Sequence, residues 1–267
     1  MSCRDHDKAL VTKLNSMPKK IEINQLSCAS VVVEIVGLSG AGKTTLAELL
    51  PGYLAKANVH AIHSKTKPLG SFSLGVKAAG ALLAAKDIIR LSPFFLRPFI
   101  NGNPRLGLSG FRRLLKSFRH SFPRRVLQLA LPYNTVIVQE PGWPMELLSH
   151  YLYSKGPLTA AEAQQFLMAA PPTEYLVILI AEPRVSISRM KRRNRGIPKG
   201  LRHLGENELQ HYLERGNSTS AVLSIASSAL GIKTLKLDVS NLDADEVATC
   251  VLEFILAAKD GRRNRNE

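Results

Sequence analysis

The sequence is short of negative charge, and the shortage is concentrated in one segment. Its 267 residues include 36 Lys and Arg against 21 Asp and Glu, which gives a net charge of +15. Between Glu48 and Glu140 the only acidic residue is Asp87, whereas the same stretch holds 14 Lys and Arg. A second basic run spans 184–202. Such an excess predicts an anionic partner: a phosphate-rich small ligand, an anionic membrane surface or nucleic acid.

Cysteine is scarce, and long apolar runs are missing. The three cysteines, Cys3, Cys28 and Cys250, form no CxxC pattern, which favours a reducing compartment and predicts a cytoplasmic protein. The first 15 residues lack an apolar core, so we expect no secretory signal there. No stretch of about 18 uncharged apolar residues predicts a membrane span. Hydrophobic residues still make up 45% of the chain, enough for a substantial core.

One stretch fits the phosphate-binding pattern G-x-x-x-x-G-K-[ST]. It reads Gly37, Leu38, Ser39, Gly40, Ala41, Gly42, Lys43, Thr44, with Thr45 directly after it. A β-branched apolar run at 31–36 precedes the pattern, and apolar residues at helical spacing follow it. Strand, glycine loop and helix in this order are the context that the pattern requires, so the sequence predicts nucleoside triphosphate binding.

The residue types in this loop account for the predicted chemistry. Glycines allow backbone N–H groups to surround phosphate oxygens, and a helix N-terminus adds partial positive charge. Lys43 can reach the terminal phosphates, and the Thr44 hydroxyl can ligate Mg²⁺. We therefore expect 37–45 to bind the nucleotide and Thr44 to contact the metal.

The remaining pattern predicts an α/β fold with a parallel sheet. Five apolar runs are expected to be strands, at 31–36, 59–64, 135–139, 175–181 and 234–239, with helical patterns between them. This describes a P-loop NTPase domain of three α/β/α layers over 29–260, preceded by a poorly patterned lead-in at 1–28 and followed by a basic tail at 261–267. A helical basic insertion is expected at 71–130, and a lid-like arginine segment at 184–202.

Helix interruptions are predicted at glycines and prolines. We expect the helix over 74–90 to be broken at Gly75 and Gly80, the chain after it to be broken at Pro93, Pro98 and Pro104, and the helix over 206–230 to be broken at Gly216. The stretch 111–122 has apolar residues at helical spacing and basic residues between them, which predicts a basic amphipathic helix. Its apolar stripe would face the core; a lid over an anionic substrate and docking on a membrane or nucleic acid are the alternatives.

Three motifs together carry a resemblance to a known family. They are GLSGAGKTTL at 37–46, VIVQEPG at 136–142 and ILIAEPRVSISRMKRR at 178–193. In these motifs and their spacing the chain resembles the thymidylate kinase-like group of P-loop small-molecule kinases. The resemblance implies a five-stranded parallel sheet, an arginine-bearing lid, and transfer of the terminal phosphoryl group of ATP, with Mg²⁺, to a bound small molecule.

The resemblance also implies roles for individual residues. After Pro183 it places arginines at Arg189 and at Arg192 or Arg193, where guanidinium groups can neutralise charge on the transferred phosphoryl group. The family usually ends the 136–139 strand with Asp, but here Gln139 stands at that position and Glu140 follows. Glu140 is therefore the candidate base or Mg²⁺-orienting carboxylate. A solvated basic helix face and a strand-end ion pair are the structural alternatives for these two groups.

Two further residues have mainly structural interpretations. Glu34 lies within a strand, where a buried ion pair is favoured over a catalytic role, and Trp143 is favoured as a packing residue over a substrate-stacking one. The leading functional hypothesis is a kinase for a small anionic acceptor, either a nucleotide or a sugar or phosphosugar. The alternative is an ATPase or nucleotide-dependent switch that docks on a membrane or nucleic acid through its basic middle segment.

Overall fold

A single parallel sheet organises the part of the chain that the computed structural model describes, residues 30–65, 69–100, 104–132, 135–154 and 157–263. The sheet has five strands in the order β2-β3-β1-β4-β5. Their bounds are β1 Val31–Gly37, β2 Ala61–His63, β3 Val136–Gln139, β4 Tyr175–Ile180 and β5 Lys233–Asp238. The predicted five-stranded parallel sheet is confirmed, with every strand end within two residues of its expected position.

The apolar content of each strand decides its place in the sheet. β1, β3 and β4 occupy the centre, and nearly all of their residues are buried because helices cover both faces. In this register Val33 lies beside Val138 of β3, and Ile35 lies beside Val177 of β4. β5 alternates Lys and Leu and is only half-buried, as suits a strand at the edge of the sheet.

Helices form the two outer layers. Their bounds are α1 Lys43–Lys56, α2 Leu74–Ile100, α3 Pro104–Ala130, α4 Trp143–Ser154, α5 Ala160–Ala169, α6 Pro183–Lys191, α7 Glu206–Ala229 and α8 Ala244–Arg263. Helices α1 and α8 pack on one face of the sheet, and α4, α5 and α7 pack on the other. Trp143 is buried in this second layer beside Leu147, so its predicted packing role is what the structure shows. The three-layer α/β/α prediction is confirmed.

The predicted interruptions of the helix at 74–90 are wrong. Helix α2 runs without a break from Leu74 through Gly75, Gly80, Pro93 and Pro98 to Ile100, and Pro104 begins α3. A Cβ atom added to Gly80 would lie 2.6 Å from Cγ2 of Val126 in α3. Gly80 therefore lets two long helices approach each other closely, and its effect is one of packing between helices.

Gly216, like Gly80, allows a close contact between two packed segments. It lies inside the continuous helix α7, where an added Cβ atom would be 2.7 Å from Cδ2 of Leu38. Leu38 belongs to the predicted phosphate loop, so the missing side chain lets that loop rest directly on α7. The predicted break is wrong because a close tertiary contact, and not a turn, requires glycine at this position.

The predicted amphipathic helix at 111–122 forms part of α3, but its stripe does not face the core throughout. Leu115 is 56% exposed, whereas Phe118 and Phe122 are half-buried, with ring centroids 6.1 Å apart. The side chains of 111–114 lie outside the described residues. The core-facing interpretation is therefore wrong for Leu115. No helix in the described ranges has the length and apolarity needed to cross a bilayer.

One fully buried ion pair holds the hairpin of α2 and α3 on the sheet, and a second, partly buried pair joins the two helices to each other. Arg124 of α3 is fully buried; it contacts the buried carboxylate of Glu34 in β1 and donates a second hydrogen bond to the carbonyl of Pro172. Burial raises the pKa of Glu34, while the charge of Arg124 opposes the rise. The favoured ion-pair interpretation of Glu34 is confirmed. Gly142 lies against the same carboxylate, since a Cβ atom there would be 2.6 Å from Glu34 Oε2.

The second pair joins the two helices of the hairpin. Asp87 of α2 accepts hydrogen bonds from Arg125 Nε at 2.8 Å, from Arg125 Nη2 at 2.6 Å and from Ser121 Oγ at 2.7 Å. Asp87 is buried, and it is the one acidic residue between Glu48 and Glu140. The single negative charge of the middle segment is therefore paired with Arg125 inside the hairpin.

Replacing Arg124 tests whether the Glu34 pair holds the hairpin. We expect Arg124→Met to lower the free energy of unfolding by about 3 to 5 kcal/mol, because it leaves Glu34 buried without its charge partner. Urea unfolding of the full chain would measure the change. The double variant Arg124→Met with Glu34→Met should recover much of the loss. The exposed pair Lys191–Glu206 supplies the control, since Lys191→Met should change stability little. Wild-type stability in Arg124→Met would contradict this account.

Candidate active site

The loop between β1 and α1 has the backbone that phosphate binding needs. Gly40 and Gly42 have φ angles of +92° and +83°, which L side chains rarely adopt. Gly40 also has no room for a side chain, because a Cβ atom would lie 2.5 Å from the carbonyl oxygen of Ser186 in α6. Helix α1 starts at Lys43 with no acidic residue in its first turn and no side-chain cap. Its positive end is therefore available to an anion.

Lys43 lies at the centre of this loop. Its Nζ donates a hydrogen bond of 2.8 Å to the carbonyl of Leu38, so the side chain folds back over the loop. Burial lowers the pKa of Lys43 to about 8, with the charges of Arg193 and Lys65 acting in the same direction and Glu140 acting against them. These four side chains therefore share one electrostatic environment, although they come from four separate segments.

The first cleft extends from the loop towards the end of β5. Its volume is about 370 Å³. It is lined by Gly40, Ala41, Gly42, Thr45, Leu46, Arg189, Arg193, Val239, Leu242, Asp243, Ala244 and Val247. The wall from Val239 to Val247 is partly apolar and lies beyond the loop, as the flat base of a nucleotide requires. Val239, the residue directly after β5, belongs to this wall.

Two of the three predicted arginines, Arg189 and Arg193, share the first cleft, and Arg192 lies apart from it. Arg189 donates to the carbonyl of Val239 at 2.8 Å and contacts those of Ser240 and Leu242 at 3.4 and 3.3 Å, which ties α6 to the far wall of the first cleft. Arg193 lines the same cleft. Arg192 does not line it.

Arg192 instead borders a surface hollow between α6 and α7, together with Arg184, Lys191 and Glu206. Helix α6 ends at Lys191, so Arg189 lies within the helix and Arg192 and Arg193 directly follow it. Of these last two, Arg192 borders the hollow and Arg193 lines the first cleft.

A second cleft of about 210 Å³ lies beside the end of β3. It is lined by Ser64, Lys65, Leu69, Arg119, His120, Pro123, Gln139, Glu140 and Pro141. Lys65 Nζ lies 2.7 Å from Glu140 Oε2, and the Glu140 carboxylate is almost fully buried. Glu140 lines this cleft and its charge also acts on the pKa of Lys43, so it links the second cleft electrostatically to the phosphate loop.

Gln139 and Glu140 are both buried where β3 ends. Gln139 Nε2 contacts the carbonyl of His120 at 3.5 Å, and its Oε1 has no hydrogen-bond partner among the described residues. The one carboxylate of this pair therefore belongs to Glu140. Sequence reasoning missed Lys65, Arg119 and His120 as lining residues; the excess of positive charge over 49–139 was the only signal for them.

The loop also fits a divalent cation of the kind that accompanies a nucleotide. Within the described ranges no group of three or more His, Cys, Asp or Glu side chains is placed to hold a metal by itself. Mg²⁺ at triphosphate sites needs few protein ligands, because phosphate and water oxygens supply the rest. Thr44 is exposed in the first turn of α1 and can supply a hydroxyl oxygen there. The donor set is thus suited to Mg²⁺ bound together with a nucleotide.

The strand order and the glycine loop together define a three-layer α/β/α domain with a P-loop type of fold. No protein-family model matches the chain, and no curated protein matches it. Similar solved structures include a deoxyadenosine kinase from M. mycoides with bound dCTP, at 12% identity and a TM-score of 0.45, which covers 85% of this chain and 100% of that one.

A thymidylate kinase from Candida albicans has 16% identity and a TM-score of 0.41 over 87% of this chain and 93% of its own. A shikimate kinase from Acinetobacter baumannii in complex with shikimate has 15% identity and a TM-score of 0.41, covering 86% and 95%. These likenesses are too distant to assign an activity, so the assignment of the fold depends on the strand order and the loop described above.

The lowered pKa of Lys43 predicts how nucleotide affinity depends on pH. Above about pH 8 the free protein loses the Lys43 proton, so binding a triphosphate must also take up a proton. We expect the dissociation constant for ATP to rise by up to about tenfold per pH unit between pH 8 and 9.5. Isothermal titration without acceptor would measure it. Lys43→Arg keeps its charge and should remove this slope; a flat wild-type profile would contradict the assignment.

Proposed function

We propose that the protein is an ATP- and Mg²⁺-dependent phosphotransferase that acts on a small anionic acceptor. The observation that carries the proposal is that Glu140 lines the second of two clefts and its charge also acts on Lys43 of the phosphate loop. The first cleft contains glycines of that loop, and the second is also lined by Lys65 and Arg119. A nucleotide site alone would serve an ATPase, whereas a second polar cleft linked to Lys43 through Glu140 would provide a place for an acceptor.

The residues of the first cleft would hold the nucleotide. The loop N–H groups and Lys43 bind the phosphates, and Arg193 neutralises charge that develops on the phosphoryl oxygens. Mg²⁺ held by Thr44 and the phosphate oxygens would supply further positive charge. Arg189 acts as a positioning residue, since its guanidinium group is already occupied by the carbonyls after β5. The wall from Val239 to Val247 would pack against the base.

Glu140 would act on the acceptor. An acceptor hydroxyl or phosphate oxygen in the second cleft forms a bond to the terminal phosphorus, while the bond from that phosphorus to the bridging oxygen breaks and ADP leaves. For a hydroxyl acceptor, the proton passes to the Glu140 carboxylate. Lys65 would have to exchange its contact with Glu140 for one with the acceptor. The hydrogen bond of 2.7 Å between them thus keeps the carboxylate placed until the acceptor binds.

The second cleft suggests the class of acceptor. Arg119 and Lys65 give it positive charge, so the acceptor would carry a phosphate or a carboxylate. Its volume of about 210 Å³ suits a compact molecule such as a sugar phosphate, and it would take a nucleotide only in part. Among the candidate classes, phosphosugars and nucleotides therefore remain, with the smaller acceptors favoured by size.

The test is phosphoryl transfer from γ-labelled ATP with Mg²⁺ to pooled nucleoside monophosphates, sugars and phosphosugars. We expect a labelled acceptor that is absent with Lys43→Ala, which removes the phosphate-binding ammonium group without touching the core. Release of free phosphate alone, unchanged by every acceptor pool, would favour the ATPase alternative. Transfer by Lys43→Ala at the wild-type rate would contradict the loop assignment.

If Glu140 is the base, its replacement should lower turnover without weakening ATP binding. We expect Glu140→Gln to lower kcat by about 10²- to 10⁴-fold, because an amide cannot accept the proton, while the dissociation constant for ATP changes little. Steady-state kinetics with the labelled acceptor would measure it. Gln139→Glu in the same background would test whether a carboxylate one residue earlier can substitute. Normal turnover in Glu140→Gln would place the base elsewhere.

The positions of two neighbouring arginines provide a matched pair of variants. Arg193→Ala should lower kcat/KM at least about tenfold, since it removes a charge from the first cleft. Arg192→Ala should leave kcat/KM within about twofold of wild type, because Arg192 borders the separate hollow between α6 and α7. Equal losses in both variants would show that the arginines act together.

A further inference from the structure

Helix α2 carries a continuous apolar stripe on its outer face. The stripe consists of residues spaced three or four apart, Leu74, Ala78, Leu82, Ala85, Ile89 and Pro93. All six are exposed; Leu74, Leu82 and Ile89 are exposed by 82%, 74% and 72%. At 1.5 Å per residue the stripe is about 29 Å long. Single exposed leucines are ordinary, but a helix face of this kind is normally covered.

Positive charge lies on both sides of the stripe. At 100° per residue, Lys86 and Arg90 fall on one side of it and Lys77 falls on the other. The only acid in α2 and α3 is Asp87, which is buried and bonded to Arg125 and Ser121. Helices α2 and α3 therefore present no exposed carboxylate over their full sequence. The partner of this surface must be apolar at its centre and negative around it.

We propose that the outer face of α2 binds an anionic lipid bilayer and holds the protein peripherally on it. Leu74, Leu82 and Ile89 would enter the boundary between head groups and acyl chains, as the apolar side chains of interfacial amphipathic helices do. Lys86 would meet lipid phosphates, with its long apolar stem lying along the stripe. Lys77 and Arg90 donate to the carbonyls of Gly70 at 3.3 Å and Met168 at 2.7 Å, so they would add positive charge beside the bilayer while keeping these contacts.

The same features disfavour nucleic acid and a second copy of the chain as partners of this surface. Nucleic acid offers phosphates but has no apolar surface to cover a stripe of this length. A second copy of the chain would bring Lys86 and Arg90 against another positive face, with no exposed carboxylate on α2 or α3 to pair with them. An anionic bilayer supplies both the apolar layer and the negative charge.

The experiment is sedimentation of the full chain with vesicles of phosphatidylcholine, alone or with 30 to 40% phosphatidylglycerol. We expect binding to the anionic vesicles only, with a marked loss between 0.1 and 0.5 M NaCl. The double variant Leu82→Gln with Ile89→Gln should bind at least about tenfold more weakly, with its charge unchanged. Lys86→Gln should weaken binding to a smaller extent, and chiefly at low salt.

Helix α7 supplies a matched control. Ile225 is 64% exposed there, so Ile225→Gln removes a comparable exposed side chain from another surface and should leave vesicle binding unchanged. Far-UV circular dichroism and ATP affinity should be as in wild type for every variant, because none of these residues lines either cleft. The readout is partitioning, so the result does not depend on whether the protein proves to be a kinase.

Five outcomes would overturn the proposal. Three concern the vesicles: no binding to anionic vesicles, full binding by the double variant Leu82→Gln with Ile89→Gln, and equal loss of binding in Ile225→Gln. A concentration-dependent dimer that the double variant converts to a monomer would assign the stripe to a second copy of the chain. Salt-dependent DNA binding without vesicle binding would assign the basic surface to nucleic acid.

Discussion

A carboxylate buried in the central strand sets the main constraint on this structure. Glu34 lies between β3 and β4, where no water can solvate it, so it requires a charge partner from outside the sheet. Arg124 fulfils that requirement and, through the carbonyl of Pro172, also contacts the chain just before β4. The long hairpin is thereby fixed over the end of β3. Arg119 and His120, one turn before Arg124, line the second cleft for this reason.

Local patterns were sufficient to predict the sheet and the loop. Each strand is a short apolar run bounded by turn residues, and the phosphate loop is defined by the spacing of its own glycines, so no distant contact was needed to recognise either. The glycines and prolines of the helices were misread, because their positions are decided by tertiary contacts. Gly80 and Gly216 make room for Val126 and Leu38, which lie 46 residues after the one and 178 residues before the other in the chain.

The residues of the candidate site also fall into two groups, those that local sequence patterns predict and those whose positions depend on tertiary contacts. Lys43, Thr44 and Glu140 follow strand ends, and the carboxyl ends of parallel strands meet at one edge of a sheet. Lys65 follows the end of β2 and pairs with Glu140 at that same edge. Arg119 lines the second cleft only through the path of the hairpin, which no motif encodes. Arg192 and Arg193 directly follow α6 and line different hollows, and the sequence alone does not show which of the two lies at the first cleft. Predictions at helix ends fail by margins of this size.

The close approach of Gly142 to Glu34 has a consequence for how the sequence can diverge. Any side chain at 142 would displace the Glu34 carboxylate, and any displacement of that carboxylate would leave Arg124 buried without a counter-ion. The three positions therefore form an inherited unit. Relatives should either keep glycine, glutamate and arginine together or replace all three, and a chain that has changed only one of them should have lost the hairpin's placement over the cleft. Comparing diverged sequences would reveal this unit as linked substitutions at sites 18 to 108 residues apart.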